Sequence, residues 1–223
     1  MTRGLFVTGT DTGVGKTRVA VALLRALATA GHRAVGMKPV SAGVGPHETV
    51  NADVVALAAA GSVDAPLADR NPYAFAPAIA PHLAAAAEGV TIDLDVIASA
   101  YERLAAGAET VVVEGAGGAL VPLGARIDML DIAARLDLPV LLVVGVRLGC
   151  LNHALLTAAA IRARGLRCAG WVANTVDPAM PMRQENVATL AALLPAPLIA
   201  TVAHDRTPDF DLAALAALSI HFQ

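Results

Sequence analysis

The stretch Gly9-Thr10-Asp11-Thr12-Gly13-Val14-Gly15-Lys16-Thr17 has a plain chemical use. A glycine-rich loop between a strand and a helix aims successive backbone N–H groups, and the positive end of the helix, at phosphate oxygens. Its lysine reaches the β- and γ-phosphates, and the next hydroxyl ligates Mg²⁺. The general motif is Gly-x4-Gly-Lys-Thr. Here Thr10 stands where its first glycine would fall, and the spacing is Gly-x5-Gly-Lys-Thr from Gly9. Apolar Gly4-Leu5-Phe6-Val7 precedes the loop and an amphipathic segment follows it. This context predicts binding of a nucleoside triphosphate through Gly13, Val14, Gly15, Lys16 and Thr17.

Lysine is scarce: of the 16 Lys and Arg residues, only Lys16 and Lys38 are lysines. A compact ammonium does what a guanidinium cannot at a point-charge site. Lys38 ends a short apolar run in Met37-Lys38-Pro39-Val40-Ser41-Ala42-Gly43. Strand carboxyl ends line the ligand crevice of a doubly wound sheet, so Lys38 is expected near the phosphate loop, against the bland reading of a solvated strand end. Ser41 is a polar contact or a turn residue. Glu114 closes another apolar run and leads into Gly115-Ala116-Gly117-Gly118, a carboxylate with backbone amides beside it. Mg²⁺ takes one or two carboxylates plus phosphate oxygens. Asp53 is the candidate second carboxylate, with helix capping as the alternative. Asn174 could read a base through its amide. The Asn-Lys-x-Asp guanine signature is absent, as is a Gly-x-Ser-x-Gly elbow, and no histidine pairing suggests a metal site.

Positioning these residues calls for a scaffold, and the rest of the chain describes one. Hydrophobic residues make up 56% of the 223 and charged residues 16%, with a net charge of −3 and no charge blocks. That excludes disorder and gives no footprint for nucleic acid. The richest apolar run, 138–146, holds nine residues including Pro139 and Gly145, against about twenty needed to cross a bilayer. Cys150 and Cys168 share no paired spacing and read as free thiols of a reducing, cytoplasmic setting. No signal peptide is apparent at the N-terminus. Short apolar runs predict strands over 4–8, 34–38, 110–114, 139–144, 167–173 and 197–202. Amphipathic segments predict helices over 16–30, 51–60, 94–106, 128–136, 152–164, 183–194 and 212–218. The alternation implies an α/β fold, a doubly wound, mostly parallel sheet with helices on both faces, in a single domain over 1–223. The proline-rich stretch 61–89 is expected to be an irregular surface excursion with a functional role.

Five blocks in order resemble the dethiobiotin synthetase family and cover nearly the whole chain. They are 8–17, 36–40 (Gly-Met-Lys-Pro-Val), Asn71-Pro72-Tyr73 with Pro81-His82, 113–118 (Val-Glu-Gly-Ala-Gly-Gly) and 149–154 (Gly-Cys-Leu-Asn-His-Ala). The five-residue loop spacing is that family's own form. The resemblance implies a P-loop NTPase scaffold and an ATP-dependent ligase. Its substrates would be 7,8-diaminononanoate and CO2 or bicarbonate, joined into a cyclic urea through a carbamate and a carbamic–phosphoric anhydride. It implies catalytic roles for Lys16, Lys38 and Thr12. ATP contacts would extend from the loop to Arg18, Asp53, Glu114, Gly115, Ala116, Gly117, Asn174, Thr175, Ala203, His204 and Asp205. Mg²⁺ would lie on Thr17, Asp53 and Glu114. Substrate contacts would come from Ser41, Gly118, Leu151 and Asn152, the last two reaching across a homodimer. Three departures stand out: Ala42 replaces the usual hydroxyl, Gly13 replaces the glutamate of some members, and 202–205 lacks the common proline. The alternative from another class is a partitioning or metal-insertion switch ATPase. Such switches usually carry an additional lysine early in the loop, which 10–14 lacks.

Overall fold

The computed structural model describes residues 4–44 and 48–218. Six strands form one parallel sheet: β1 (Gly4–Gly9), β2 (Ala34–Met37), β5 (Thr110–Glu114), β6 (Val140–Val146), β7 (Cys168–Thr175) and β8 (Leu198–Val202). Their order is β2-β5-β1-β6-β7-β8. The connections lead from β1 first toward β2 and later past β1 to β6, so strand ends at β1 open a crevice of the kind that binds ligands. The inner strands are buried along their length, as their unbroken apolar runs predict.

Alternate side chains divide between the two faces. Phe6, Val111 and Val113 join a core with Ile97, Leu104, Met129 and Ile132 from α5 (Leu94–Gly107) and α6 (Met129–Arg135). Leu5, Val7, Val112 and Leu141 face the other way, onto Leu23, Leu24 and Leu27 of α1 (Lys16–Thr29) and Leu57 of α2 (Ala52–Ala60). Leu142, Val144 and Trp171 pack under α7 (Cys150–Ala163) and α8 (Arg183–Leu193), while α9 (Leu212–Ala217) closes the face of α1. This two-period split is what fixes register: a slip by one residue would turn each strand's apolar set around. Among the described residues no helix is long and apolar enough to cross a membrane.

All predicted strands and helices form, with some ends displaced. β6 and β7 run on to Val146 and Thr175, so Asn174 is a strand residue rather than a loop residue. α7 begins at Cys150, after Gly149 with φ +93°.

The expectation for 61–89 needs correction. This stretch folds into α3 (Leu67–Arg70), β4 (Tyr73–Phe75) and α4 (Pro81–Ala87). β4 pairs in parallel with β3 (Val40–Ala42) in a separate two-stranded sheet. Asp69, Arg70 and Asn71 are buried. Arg70 makes that possible by donating to the carbonyls of Ala65 and Val63, at 3.1 and 2.7 Å, which absorbs backbone acceptors that a proline-broken chain leaves unpaired.

Candidate active site

β1 delivers the chain to the phosphate loop, and α1 starts at Lys16 behind Gly15, whose φ is +93°. A Cβ on Gly15 would stand 2.3 Å from Asn174 Nδ2, so the position requires glycine for both backbone and space. Lys16 Nζ donates to the Asp11 carbonyl at 3.0 Å and so arches over its own loop. The longer spacing of the loop has a structural explanation in Thr10 and Asp11. Thr10 N donates to Val143 O at 3.0 Å, and Thr10 Oγ1 accepts from Gly145 N at 3.2 Å. Asp11 accepts from Thr12 N at 2.7 Å and pairs with Arg147 just beyond β6. Both residues tie the loop to the neighbouring strand.

Beside the loop lies an ion cluster. Lys38 Nζ donates to Asp53 Oδ2 at 2.6 Å and to Glu114 Oε1 at 2.7 Å. Thr17 Oγ1 donates to the same Glu114 oxygen at 2.8 Å. Glu114 is fully buried, and its Oε2 has no partner. Burial alone would push the Lys38 ammonium down, but Glu114 and then Asp53 outweigh it and hold it above the ordinary lysine value. Asp53 is pulled the other way: burial would raise it, and Lys38 prevails and keeps it low. Burial pushes Glu114 up against the pull of Lys38. The cluster thus favours the charged forms of Lys38 and Asp53. Lys16, desolvated by burial and facing Lys38, is pushed down to about 8 despite Glu114.

The alternative reading of Asp53 as a helix cap does not hold. Asn51 caps α2 by accepting from Asp53 N at 3.0 Å, which leaves the Asp53 carboxylate to Lys38.

A cleft of about 690 Å³ joins these groups. Its wall includes Thr12, Gly13, Gly15, Lys16, Thr17, Lys38, Asp53, Glu114, Ala116 and Gly117. Ala78, Ile79, Ala80 and Pro81 supply an apolar side that sequence reasoning missed. Its signals were the length of the 61–89 stretch and the Pro81-His82 block within it.

Not every expected contact faces this cleft. Ser41 is buried and donates to Asn71 Oδ1 at 2.9 Å, while Ala42, the next residue on β3, lines the wall. Strand alternation turns the hydroxyl away, so Ser41 is not placed as a substrate contact. Gly115 N is spent on Val7 O at 3.0 Å and Ala116 N on Met129 Sδ at 3.4 Å, so these two amides are not offered to a ligand. Gly118 lines an adjoining hollow with Thr10, Asp11 and Thr12. Val14 is buried, and its carbonyl accepts from Asn174 Nδ2 at 2.7 Å. Asn174 Oδ1 is buried without a partner.

A second group gathers at the ends of β7 and β8. Arg18 pairs with Asp205 at 3.7 Å, and His204 Nδ1 lies 3.3 Å from the carbonyl of buried Thr175. Ala203, His204 and Asp205 are exposed. Leu151 and Asn152 sit in the first turn of α7 and do not line the cleft of their own chain.

The chain matches the AAA domain family over residues 3–208. It is 51% identical to the ATP-dependent dethiobiotin synthetase BioD of Nitrosospira multiformis over 216 residues, covering 96% of this chain and 95% of the relative. The BioD of Xanthomonas axonopodis is 54% identical over 194 residues, 86% of this chain and 87% of the relative. The chain belongs to the dethiobiotin synthetase family. Among solved structures, the septum site-determining protein MinD of Pyrococcus horikoshii, complexed with Mg-ADP, superposes with a TM-score of 0.57 at 16% identity over 92% of this chain and 82% of that one. A ParA family ATPase of Chlorobium tepidum gives 0.55 at 13% identity, with 98% and 90% covered. Those two likenesses concern the fold, which the dethiobiotin synthetase family shares with P-loop ATPases.

Proposed function

We propose that this protein is an ATP-dependent dethiobiotin synthetase, a cyclo-ligase of biotin biosynthesis. It joins 7,8-diaminononanoate and CO2 into the cyclic urea of dethiobiotin at the expense of ATP. The observation that carries this reading is the convergence of the chain's two lysines on one cleft, Lys16 from the phosphate loop and Lys38 at 2.7 Å from Glu114. One amine of the substrate takes up CO2 as a carbamate. A carbamate oxygen attacks the γ-phosphorus and ADP leaves. The second amine then attacks the carbonyl carbon of the anhydride, and phosphate departs with the bridging oxygen.

Phosphoryl transfer of this kind calls for positioning and charge stabilisation more than covalent help. Lys16 holds the β- and γ-phosphates, and Lys38 meets the carbamate and the transferring group from the opposite wall. Thr12 and Gly117, which line the same cleft, are the further contacts. The side formed by Ala78–Pro81 suits the alkyl chain of the diamine. Asn174 Oδ1, buried and unpartnered, is suited to accept from the exocyclic amine of adenine. Arg18, Thr175, Ala203, His204 and Asp205 complete the base side.

Mg²⁺ fits the residues present. Glu114 Oε2 is buried without a donor, and Thr17 and Asp53 stand beside it, two carboxylates and a hydroxyl where phosphate oxygens would complete an oxygen shell. Bound there, the ion would neutralise charge on the β- and γ-phosphates.

We further infer a cytoplasmic homodimer of single-domain subunits. Leu148 is 89% exposed and Leu156 62%, and Leu156 borders the hollow shared with Thr12 and Gly118. Two exposed leucines next to a site suit an association surface. A second copy seated there would bring Leu151 and Asn152 to the carboxylate end of the diamine.

Phosphate release from Mg-ATP and bicarbonate, measured with and without 7,8-diaminononanoate, tests the activity. Release that depends on the diamine, with a cyclic urea detected by mass spectrometry, is expected. Release indifferent to the diamine would contradict the reading.

A further inference from the structure

Lys38 lies just beyond the end of a strand. It leaves β2 one residue after the sheet pairing ends, and Pro39, which has no N–H to donate, follows at once. A lysine in such a place would ordinarily point wherever solvent allowed. Yet it is 5% exposed and held against two carboxylates.

The backbone explains how. Lys38 N donates to Arg70 O at 2.8 Å, and Lys38 O accepts from Asn71 Nδ2 at 2.7 Å. Tyr73 N donates to Pro39 O at 3.1 Å. Every backbone polar group of the Lys38-Pro39 pair is thus met by the 70–73 segment. Asn71 is itself buried, and its amide is fully used. Nδ2 gives its second bond to Tyr73 O at 3.1 Å, and Oδ1 accepts from Ser41 Oγ at 2.9 Å. The carbonyls of Lys38 and Tyr73, which can only accept, fix the donor end of the amide toward them, and the Ser41 hydroxyl donates to the Oδ1 that remains. With donor and acceptor exchanged, two carbonyl oxygens would face Asn71 Oδ1 with no donor between them.

We infer that Asn71 is a positioning residue for Lys38, and that Ser41 serves it by anchoring Asn71 Oδ1. The inference rests on the proposed role of Lys38 in phosphoryl transfer. It gives Ser41 a use other than substrate contact, and it gives the buried part of the 61–89 stretch a task. That stretch carries both the clamp on Lys38 and the apolar wall of the cleft. A misplacement of order 1 Å in a charged group at a phosphoryl site is enough to slow chemistry about a hundredfold without preventing nucleotide binding.

The test uses the full-length protein and the scarcity of lysine. With ¹³C-lysine labelling the wild type should give two ε-methylene correlations, and loss of one in Lys38→Met assigns Lys38. In Asn71→Ala, kcat should fall tenfold or more while the KM for ATP stays within about twofold. The Lys38 signal should move toward the position of a free lysine and the Lys16 signal should stay. Ser41→Ala should give the same pattern at smaller size, a loss of severalfold in kcat, and it carries the test alone if Asn71→Ala does not fold. A variant with lowered thermal stability but wild-type kcat and an unmoved Lys38 signal would overturn the inference, leaving only a structural role. Should Lys38→Met itself turn over at the wild-type rate, the failure would lie with the proposed role of Lys38 and not with the clamp.

Discussion

Lys38 Nζ lies 2.7 Å from Glu114 Oε1, and the sheet register sets this closeness. β2 and β5 run side by side in parallel with Met37 opposite Val113, so Lys38, just past β2, and Glu114, the last residue of β5, come next along each chain. Two adjacent strand ends thereby bring a cation and a buried anion into contact at the mouth of the phosphate loop. Breaking a buried pair from one side leaves an unmatched charge, so Glu114 needs either Lys38 or a metal ion.

Lys38→Met is therefore expected to cut kcat on the order of a hundredfold or more, the usual cost of one preorganised charge at a reacting centre. ATP affinity should change little, because the proposal gives the phosphates to Lys16 and the loop amides. Steady-state kinetics with a parallel ATP titration checks both halves. Comparable losses in kcat and ATP affinity would assign Lys38 to nucleotide binding instead.

The Lys16 ammonium, pushed down to about 8 by burial, links ATP binding to protons. Bound phosphates favour the charged form, so the free protein takes up a proton on binding once the pH exceeds its own value. Affinity should be level just below that pH and weaken about tenfold per unit above it. Calorimetry in two buffers of different ionisation enthalpy should show proton uptake rising toward one near about pH 9; no uptake there would refute the linkage. For the unliganded fold, the unfolded chain keeps its lysine proton longer. The contribution of Lys16 to stability therefore rises with pH from about 8 to 10.5.

Gly15→Ala offers a test of the loop itself. Its left-handed backbone costs a side chain about 1–2 kcal/mol, and the new Cβ would meet Asn174 Nδ2 at 2.3 Å. At about 2 kcal/mol in total the Tm should drop by about 4–8 °C, with ATP binding weakened in step. An unchanged Tm would contradict both the left-handed strain and the clash with Asn174.

Much of the site could be read from residues that stand next to each other in the chain. The phosphate loop, Lys38 and Glu114 each follow an apolar run, and a parallel sheet places the ends of such runs together. What escaped depends on contacts between distant segments or on the facing of single residues. β3 and β4 have three residues each, one of them inside a proline-rich stretch, too short for periodicity to register. The turn of Ser41 away from the cleft needs β3 to be known as a strand. The pairing of Asp11 with Arg147 has no local signal beyond an arginine just after β6. Asn51 capping α2 was a signal that could have been used, since an asparagine directly before a helical run is the preferred cap and would have freed Asp53 at once.

Asn152 projects from the first turn of α7, is exposed, and does not reach the cleft of its own chain. If Asn152 meets the diamine across the proposed dimer, Asn152→Ala should raise the KM for the diamine severalfold while leaving that for ATP within about twofold. Equal shifts for both substrates would argue against its place at the diamine.

In the proposed reaction the γ-phosphoryl group passes to an oxygen that came from CO2. With ¹⁸O-labelled CO2 supplied at the moment of mixing, the released phosphate should carry one labelled oxygen for each cyclic urea formed. Unlabelled phosphate, with ring closure intact, would mean that water or another acceptor takes the phosphoryl group and that no carbamic–phosphoric anhydride forms.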